Sequence, residues 1–152
     1  MIVENQYLEK LVDIFDNNHQ NFLYDRFAHE KGWLNLIYVE EDSPVGYAVV
    51  YLKNDFCEQE DYPIRVDNIK DNAIYIWLMV TKKGFENKGI GTSLIKYIVD
   101  KFSDRDIYSV TDINNYASTK IHCKNDFIPI KYFEKVYDGK NESYLVLERK
   151  SG

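Results

Sequence analysis

The pattern of apolar and polar positions divides the chain into helices and strands, beginning with two amphipathic helices. Apolar residues recur at helical spacing in residues 5–16 and again in residues 19–30. Two strand-like runs follow, Leu34–Glu40 and Val45–Lys53, and the turn-forming E-D-S-P between them predicts an antiparallel hairpin. Met1–Val3 is too short to predict a first strand.

A bulky apolar run, Ala73–Thr81, predicts the central strand of a sheet. Strict alternation gives one face to Ile74, Ile76, Leu78 and Val80, and the other to Tyr75, Trp77, Met79 and Thr81. Because both faces are bulky, this strand needs a layer of structure on each side. After a polar turn, an apolar stripe predicts a helix from about Gly89 to Phe102.

The rest of the chain predicts further strands and one long loop. Ile107–Thr111 is a candidate strand, and D-G-K-N joins Phe127–Tyr137 to Glu142–Arg149 as a closing hairpin. Between the first hairpin and the central strand, Asn54–Asn72 is polar and acidic, with at most a short strand at P-I-R-V-D. The carboxylates of this loop could attract a cationic amine or could simply keep the loop solvated.

Composition indicates one domain spanning residues 1–152. With 45% hydrophobic residues in 152 positions, the chain can bury a core. Its N-terminus has no basic segment followed by an apolar core, and no apolar run reaches membrane-spanning length, so we expect a cytoplasmic protein with no membrane partner. Cys57 and Cys123 are far apart and outside any metal-like spacing, which favours free thiols and no metal site.

Charge narrows the class of ligand. A formal net charge of -6 argues against general nucleic-acid binding, which calls for a basic face. Six lysines nevertheless cluster around the glycine turn and a later segment discussed below: Lys82, Lys83, Lys88, Lys96, Lys120 and Lys124. A local positive patch on an acidic protein suits a small phosphorylated ligand, although each lysine could equally serve only solubility.

The polar turn after the central strand carries the clearest candidate chemistry. Gly89 and Gly91 allow close backbone approach to a ligand, and the helix that begins there has amides without partners inside the helix. Such a helix start suits an anion, most naturally a phosphate, although the glycines could only shape a tight connection. Known nucleotide motifs fit poorly, because Ile90 and Gly91 stand where a Walker motif needs Lys and Ser/Thr, and Leu94 replaces the third glycine of a dinucleotide fingerprint.

The turn sequence E-N-K-G-I-G-T-S-L-I resembles the Gln/Arg-x-x-Gly-x-Gly/Ala signature of the GNAT family of N-acetyltransferases. The resemblance implies that the loop amides hold the coenzyme A pyrophosphate, and that a bulge around Met79–Thr81 frees amides for the thioester carbonyl. The cofactor-binding residues that it implies here are Met79, Val80, Thr81, Glu86, Asn87, Lys88, Gly89, Ile90, Gly91 and Thr92. Glu86 departs from the signature, and its carboxylate is unfavourable beside a pyrophosphate unless it points away.

A second segment, N-N-Y-A-S-T-K-I-H-C-K-N-D-F, resembles the family's Asn-x-x-Ala/Ser-x-x-x-Tyr-x-Lys-x-Gly-Phe helix. Its matching residues are Asn115, Ser118, Lys124 and Phe127. His122 stands at the tyrosine position, and Asp126 stands at the glycine position, where an aspartate can adopt a left-handed turn.

The resemblance assigns roles to several of these side chains. Asn115 and Ser118 would contact the cofactor, although Asn115 is also an ideal helix N-cap. His122 would be the general acid at the thiolate, or else a partly buried helix histidine, with Tyr116 or solvent as the acid. Tyr75 and Trp77 could wall the acceptor site, although aromatic residues on a central strand are more often core. No general base can be named; Tyr75, the acidic loop and a water chain to bulk solvent are the possibilities.

The resemblance implies an α/β (α+β) acyl-CoA N-acyltransferase fold, with a mixed, mostly antiparallel sheet flanked by helices. The resemblance implies an enzyme that binds acetyl-CoA and transfers its acetyl group to a small cationic amine or a protein amino group. Transfer would be direct, in a ternary complex, with no covalent acetyl-enzyme. One alternative is a non-catalytic acyl-CoA sensor of the same fold, and a less favoured one is a nucleotide-binding protein. The resemblance is also compatible with a homodimer.

Overall fold

A mixed β-sheet organises the protein. The computed structural model describes residues 1–7, 32–58, 66–137 and 139–151. Residues 8–16 and 19–30 of the two predicted N-terminal helices, and most of the strand considered at P-I-R-V-D, fall outside these ranges. At the predicted start of the first helix, Asn5 and Tyr7 have left-handed backbones, with φ of 52° and 59°, so the expected start at residue 5 is wrong. The strands are β1 (Ile2–Glu4), β2 (Trp33–Glu40), β3 (Ser43–Tyr51), β4 (Ile74–Thr81), β5 (Ile107–Asp112), β6 (Ile128–Tyr137) and β7 (Lys140–Arg149). The helices are α1 (Ile90–Lys101), α2 (Tyr116–Lys124) and a short 3-10 helix (Asn54–Glu58).

In the described residues, the seven strands form one sheet in the order β1-β2-β3-β4-β5-β7-β6. Strands β4 and β5 pair in parallel through a crossover that contains α1, and the other neighbours pair antiparallel. The predicted fold class is therefore confirmed. Each described helix is too short or too polar to pass through a bilayer.

Both predicted hairpins are confirmed. The turn between β2 and β3 consists of Glu41 and Asp42, which both have left-handed backbones, with φ of 48° and 60°. Two successive left-handed residues suit the right-handed twist of the flanking strands. In the second hairpin, Gly139 supplies a φ of 77°. The short strand β1 was not predicted from its three residues, because it depends on its antiparallel pairing with β2.

The predicted alternation of β4 is wrong in its second half, because the strand contains a bulge. Val50 pairs with Ile76 but the adjacent Val49 pairs with Leu78, which leaves Trp77 as an extra residue on β4. An extra residue reverses the faces of everything that follows it. The bulge lies before Met79, so its expected position at Met79–Thr81 is also wrong.

The bulge divides the strand between two cores. Before it, Ile74 and Ile76 face the cluster that includes α1, while Tyr75 faces the opposite, aromatic-rich cluster. After it, Met79 joins the α1 side, whereas Leu78 and Val80 pack on the aromatic side.

Strands β4 and β5 stay together for only a short distance. Ile74, Tyr75 and Ile76 pair with Ile107, Tyr108 and Ser109. Beyond these residues, β4 continues along β3 as far as Thr81, and β5 continues along β7 as far as Asp112. In the described part of the chain, a gap therefore opens between the carboxyl ends of the two central strands, and no described strand pairs with the backbone groups that face it.

Helix α1 begins directly over β3 because Gly46 has no side chain. A Cβ atom at this position would lie 2.4 Å from Cγ2 of Ile90, which is far inside van der Waals contact. Ile90 is buried and is the first residue of α1, so this close approach sets the height of the helix start above the sheet.

Replacing Gly46 with alanine is therefore expected to destabilise the fold by about 1–3 kcal/mol, the usual cost of overpacking. Urea unfolding of Gly46→Ala against the wild type measures this loss. The double variant Gly46→Ala/Ile90→Ala should lose less than the sum of the two single variants, because removal of the Ile90 methyl relieves the clash. Strict additivity would contradict the proposed contact.

Candidate functional site

A cleft of about 620 Å³ opens between the end of β4, the loop that follows it and helix α2. Its lining joins the two segments that the sequence analysis singled out separately. The lining residues are Met79, Thr81, Phe85, Glu86, Asn87, Gly89, Ile90, Gly91, Thr92, Asn115, Ala117, Ser118, Lys120, Ile121 and Lys124. The cleft lies on the α1 side of the sheet, at the end where β4 and β5 have separated.

The start of α1 presents backbone amides to this cleft. Gly89 precedes the helix with a left-handed φ of 79°, and no described side chain caps the helix start. The first helical bond runs from the Ser93 amide to the Gly89 carbonyl at 2.9 Å. The amides of Ile90, Gly91 and Thr92 therefore have no partner inside the helix. Their aligned N–H groups and the helix dipole favour an anion.

Glu86 lines the cleft, and its carboxylate bonds to its own loop. Oε2 of Glu86 accepts a hydrogen bond from the Gly84 amide at 2.8 Å. The loop makes this geometry possible through left-handed backbones at Gly84, with a φ of 94°, and at Asn87, with a φ of 64°. The departure from the motif thus has a local structural role, in which the carboxylate fixes the loop.

Positive charge reaches the cleft mainly from α2. Of the six clustered lysines, Lys120 and Lys124 belong to the lining. Lys82 and Lys88 lie over the ring of Phe85, with Nζ 5.8 Å and 4.9 Å from its centroid. These contacts draw both ammonium groups to the rim of the cleft.

Asn115 performs the capping role that its position suggested. Its side-chain Oδ1 accepts from the Ser118 amide at 3.1 Å at the start of α2, and both residues also line the cleft. Capping and a place at the cleft therefore coexist in Asn115. At the other end of the helix, Asp126 has a φ of 68°, so the expected left-handed turn is confirmed.

His122 is buried between α2 and β5, with 2% of its surface exposed. Its Nδ1 lies 2.7 Å from the Ser118 carbonyl, and its Nε2 lies 2.8 Å from the Ser109 hydroxyl. A carbonyl can only accept, so Nδ1 carries the proton and Nε2 accepts from Ser109. The ring also packs edge-on against Phe127, with centroids 5.1 Å apart. Burial lowers the pKa of His122 and favours the neutral ring.

Comparison with known proteins agrees with this geometry. Residues 4–127 match the model of the acetyltransferase (GNAT) family. The chain belongs to this family. No curated protein sequence matches this GNAT chain at a significant level.

Solved structures share the fold at low sequence identity. Arabidopsis thaliana NAA60 in complex with acetyl-CoA is 16% identical, with a TM-score of 0.70 and 97% of each chain covered. The ribosomal-protein-S18-alanine N-acetyltransferase from Escherichia coli is 11% identical, with a TM-score of 0.72, covering 100% of this chain and 95% of that one. Aminoglycoside 6'-acetyltransferase type Ii is 12% identical, with a TM-score of 0.72 and coverage of 100% and 97%.

Several expected site residues of this GNAT domain lie away from the cleft. Tyr116 is 77% exposed at the start of α2, and it is not in the cleft lining. Tyr75 and Trp77 are buried on the opposite face of the sheet, where Tyr75 stacks on Phe56 and Trp77 meets Trp33 edge-on. The catalytic role of Tyr116 and the acceptor roles of Tyr75 and Trp77 stay predictions.

Val80 and Cys123 also lie outside the cleft. Val80 packs in the aromatic cluster and is not in the lining, while its neighbours Met79 and Thr81 are. Cys123 lies within the second motif segment, where it is exposed and outside the lining. Among the described residues, no group of three or more His, Cys, Asp or Glu side chains could hold a metal ion.

Sequence analysis missed some residues of the site. Phe85 was detectable as a single aromatic residue inside a polar turn, and Ile121 as an apolar position within the second motif helix. A Cβ atom at Gly91 would lie 3.3 Å from Cδ1 of Ile121, so the two motif segments approach closely at this glycine. Ser109, the partner of His122, gives no local signal because it lies on a different element.

Stability should depend on the protonation of His122. Because burial lowers its pKa below the ordinary 6.5, the unfolded chain binds a proton that the folded chain resists. Well above pH 6.5, the neutral His122 ring makes its full contribution to stability. This contribution is lost as the pH falls from about 6.5 toward the lowered pKa of His122 in the folded state. His122→Gln should therefore flatten the fall in unfolding free energy between about pH 7.5 and pH 5.5.

Chemical denaturation at a series of pH values measures this slope. A matched control replaces His19 and His29, the other two histidines, with glutamine and keeps His122. The part of the fall that is due to His122 should persist in the control. An equal slope in His122→Gln and the wild type would contradict the prediction.

Proposed function

We propose that this GNAT protein is an N-acetyltransferase that transfers the acetyl group of acetyl-CoA directly to a primary amine in a ternary complex. The observation that carries the proposal is the position of the α1 amides, which face a cleft at the end where β4 and β5 separate. Membership of the acetyltransferase family and the shared fold of a relative crystallised with acetyl-CoA support it.

In this proposal, the amides of Ile90, Gly91 and Thr92 bind the pyrophosphate of acetyl-CoA. Lys120 and Lys124 add positive charge from the facing helix. The pantetheine arm then enters the gap between β4 and β5, where backbone groups without a neighbouring strand can bond to its amides. Cleft residues on both sides of the arm would include Met79 on β4 and Asn115 at the start of α2.

The proposed reaction is attack of a neutral amine on the thioester carbonyl carbon. A tetrahedral intermediate forms, the C–S bond breaks, the amine nitrogen loses a proton, and the coenzyme A thiolate gains one. Backbone amides of β4 past Ile76 are candidates to stabilise the oxyanion, since no described strand pairs with β4 on that side. A general base is not assigned, and water can carry the amine proton to bulk solvent.

His122 is kept as the proposed general acid, with a specific requirement. The hydrogen bonds leave Nε2 without a proton, so His122 must first gain one before it can supply the thiolate. Burial opposes this step, which leaves Tyr116 or solvent as a competing donor. If His122 is the acid, kcat of His122→Gln should fall across the whole pH range; an unchanged kcat would remove His122 from the mechanism.

The proposed acceptor is a small cationic amine, with a protein amino group as the alternative. The formal net charge of -6 favours a cation. In the acidic loop, the carboxylate of Asp55 accepts from the Tyr51 hydroxyl at 2.7 Å, and Glu60 and Asp61 lie outside the described residues. Both acceptor classes occur among the structural relatives. One relative is named as an aminoglycoside acetyltransferase, and another is named as a ribosomal-protein alanine N-acetyltransferase.

A non-catalytic acyl-CoA sensor is the second candidate. It is favoured by the buried His122 at the position where the family motif has a tyrosine, and by the exposed Tyr116 outside the cleft. Both candidates bind acetyl-CoA, so only turnover separates them.

We expect acetyl-CoA to stabilise the protein more than ATP does. A ligand at a hundred times its Kd adds about 2.7 kcal/mol of stability, which a thermal shift detects readily. Release of free coenzyme A is then measured with a panel of polyamines, aminoglycosides and peptides. Turnover with a member of the panel supports the enzyme, and binding without turnover on any of them supports the sensor. A larger shift with ATP would defeat both.

The role of the α1 amides can be tested at Thr92, an exposed residue in the first helical turn. Thr92→Pro removes one amide N–H that has no helical partner, while Thr92→Ala removes only the hydroxyl. Because hydrogen bonds to charged groups contribute about 1.5–3 kcal/mol, Thr92→Pro should weaken acetyl-CoA binding by about tenfold or more. Isothermal titration of both variants gives the comparison, and equal affinities would contradict the proposed pyrophosphate site.

A further inference from the structure

Two hydroxyl groups on β5 differ in whether they have a partner. Ser109 and Thr111 are two residues apart, so their side chains share one face of the strand, the face toward α2. Ser109 bonds to His122 at 2.8 Å. Thr111 is only 5% exposed, and within the described chain its Oγ1 has no hydrogen-bond partner. A buried hydroxyl without a partner is costly and rare, so it calls for a physical explanation.

The position of Thr111 suggests what the missing partner is. Ser109 is the last residue of β5 that pairs with β4, so Thr111 lies just past the point where the two strands separate. On its other side, β5 is occupied by β7, where Thr111 pairs with Leu145. Across the gap, Met79 lines the cleft from the same face of the sheet. Thr111 is not itself in the cleft lining, but its unsatisfied hydroxyl lies on the cleft face of the sheet, on the strand that borders the gap.

We propose that Thr111 is a positioning residue whose hydroxyl hydrogen-bonds to an amide of the pantetheine arm of acyl-CoA. This inference rests on the proposed function, which lays that arm in the gap between β4 and β5. The pantetheine arm carries two secondary amides, each with one donor and one acceptor, and a threonine hydroxyl can pair with either. The bond fixes how deep the arm enters, and therefore where the thioester carbonyl stands.

The test uses Thr111→Val, which keeps the shape of the side chain and removes the hydroxyl. Titration calorimetry should show an affinity for acetyl-CoA about three- to tenfold lower than that of the wild type, the usual range for one neutral hydrogen bond. The unfolding midpoint without ligand should stay equal or rise, because valine leaves no hydroxyl unsatisfied. Thr111→Ser keeps the hydroxyl and should retain most of the affinity.

Ligand fragments separate the contact from a general structural effect. Thr111→Val should weaken binding of acetyl-pantetheine but leave adenosine 3',5'-bisphosphate unaffected. Thr92→Pro, at the pyrophosphate end, should weaken diphosphate-bearing ligands and leave acetyl-pantetheine unaffected. Equal affinity of Thr111→Val and the wild type for acetyl-pantetheine would overturn the inference and assign the hydroxyl to an ordered water. An equal loss for both fragments with a lowered midpoint would also overturn it, in favour of a purely structural role.

The design also separates this inference from the proposed function. If the wild type binds acetyl-CoA and Thr111→Val binds it equally well, only the role of Thr111 is refuted. If the wild type binds neither acetyl-CoA nor acetyl-pantetheine, the proposed function itself fails, and the inference fails with it.

Discussion

The structure depends on the short parallel pairing between β4 and β5. Ile76 and Ser109 are its last partners, and beyond them the described residues provide each strand with only its antiparallel neighbour. Two central strands that separate leave backbone donors and acceptors facing a gap, and such groups need water or a ligand. The glycine turn, the start of α1 and the cap of α2 all lie at this end of the sheet, so the gap and the cleft lie at the same end of the molecule.

The two faces of the sheet differ in what they offer to a ligand. On the α1 side, Gly46 lets the helix start approach the strands closely, and the amides of its first turn reach the cleft. On the other side, aromatic residues such as Tyr75 and Trp77 form a packed cluster. The bulge at Trp77 determines which side chains of β4 face each side, because it turns Met79 toward the cleft and Val80 toward the aromatic cluster.

Sequence reasoning succeeded where the determinants are local. Consecutive residues determine the strand Ile74–Thr81, the glycine turn and the apolar stripe of α1. Both motif segments also line one cleft, as their resemblance to one family implied. It failed where the determinants lie on another strand. The bulge at Trp77 exists only in the register with β3, and the environment of His122 depends on Ser109 from β5. The burial of Trp77 and of His122 depends on tertiary packing, which the periodicity of a single segment does not reveal.

The strand order has a consequence for how the molecule is assembled. Strand β7 follows β6 along the chain but lies between β5 and β6 in the sheet, so it must insert beside a strand made much earlier. During synthesis, a nascent chain that already carries both motif segments still has β5 as a bare edge. In the described sheet, one edge of β5 therefore stays unpaired until β7 has been synthesised, and a chain that stopped just after α2 would expose that edge, a feature that favours aggregation.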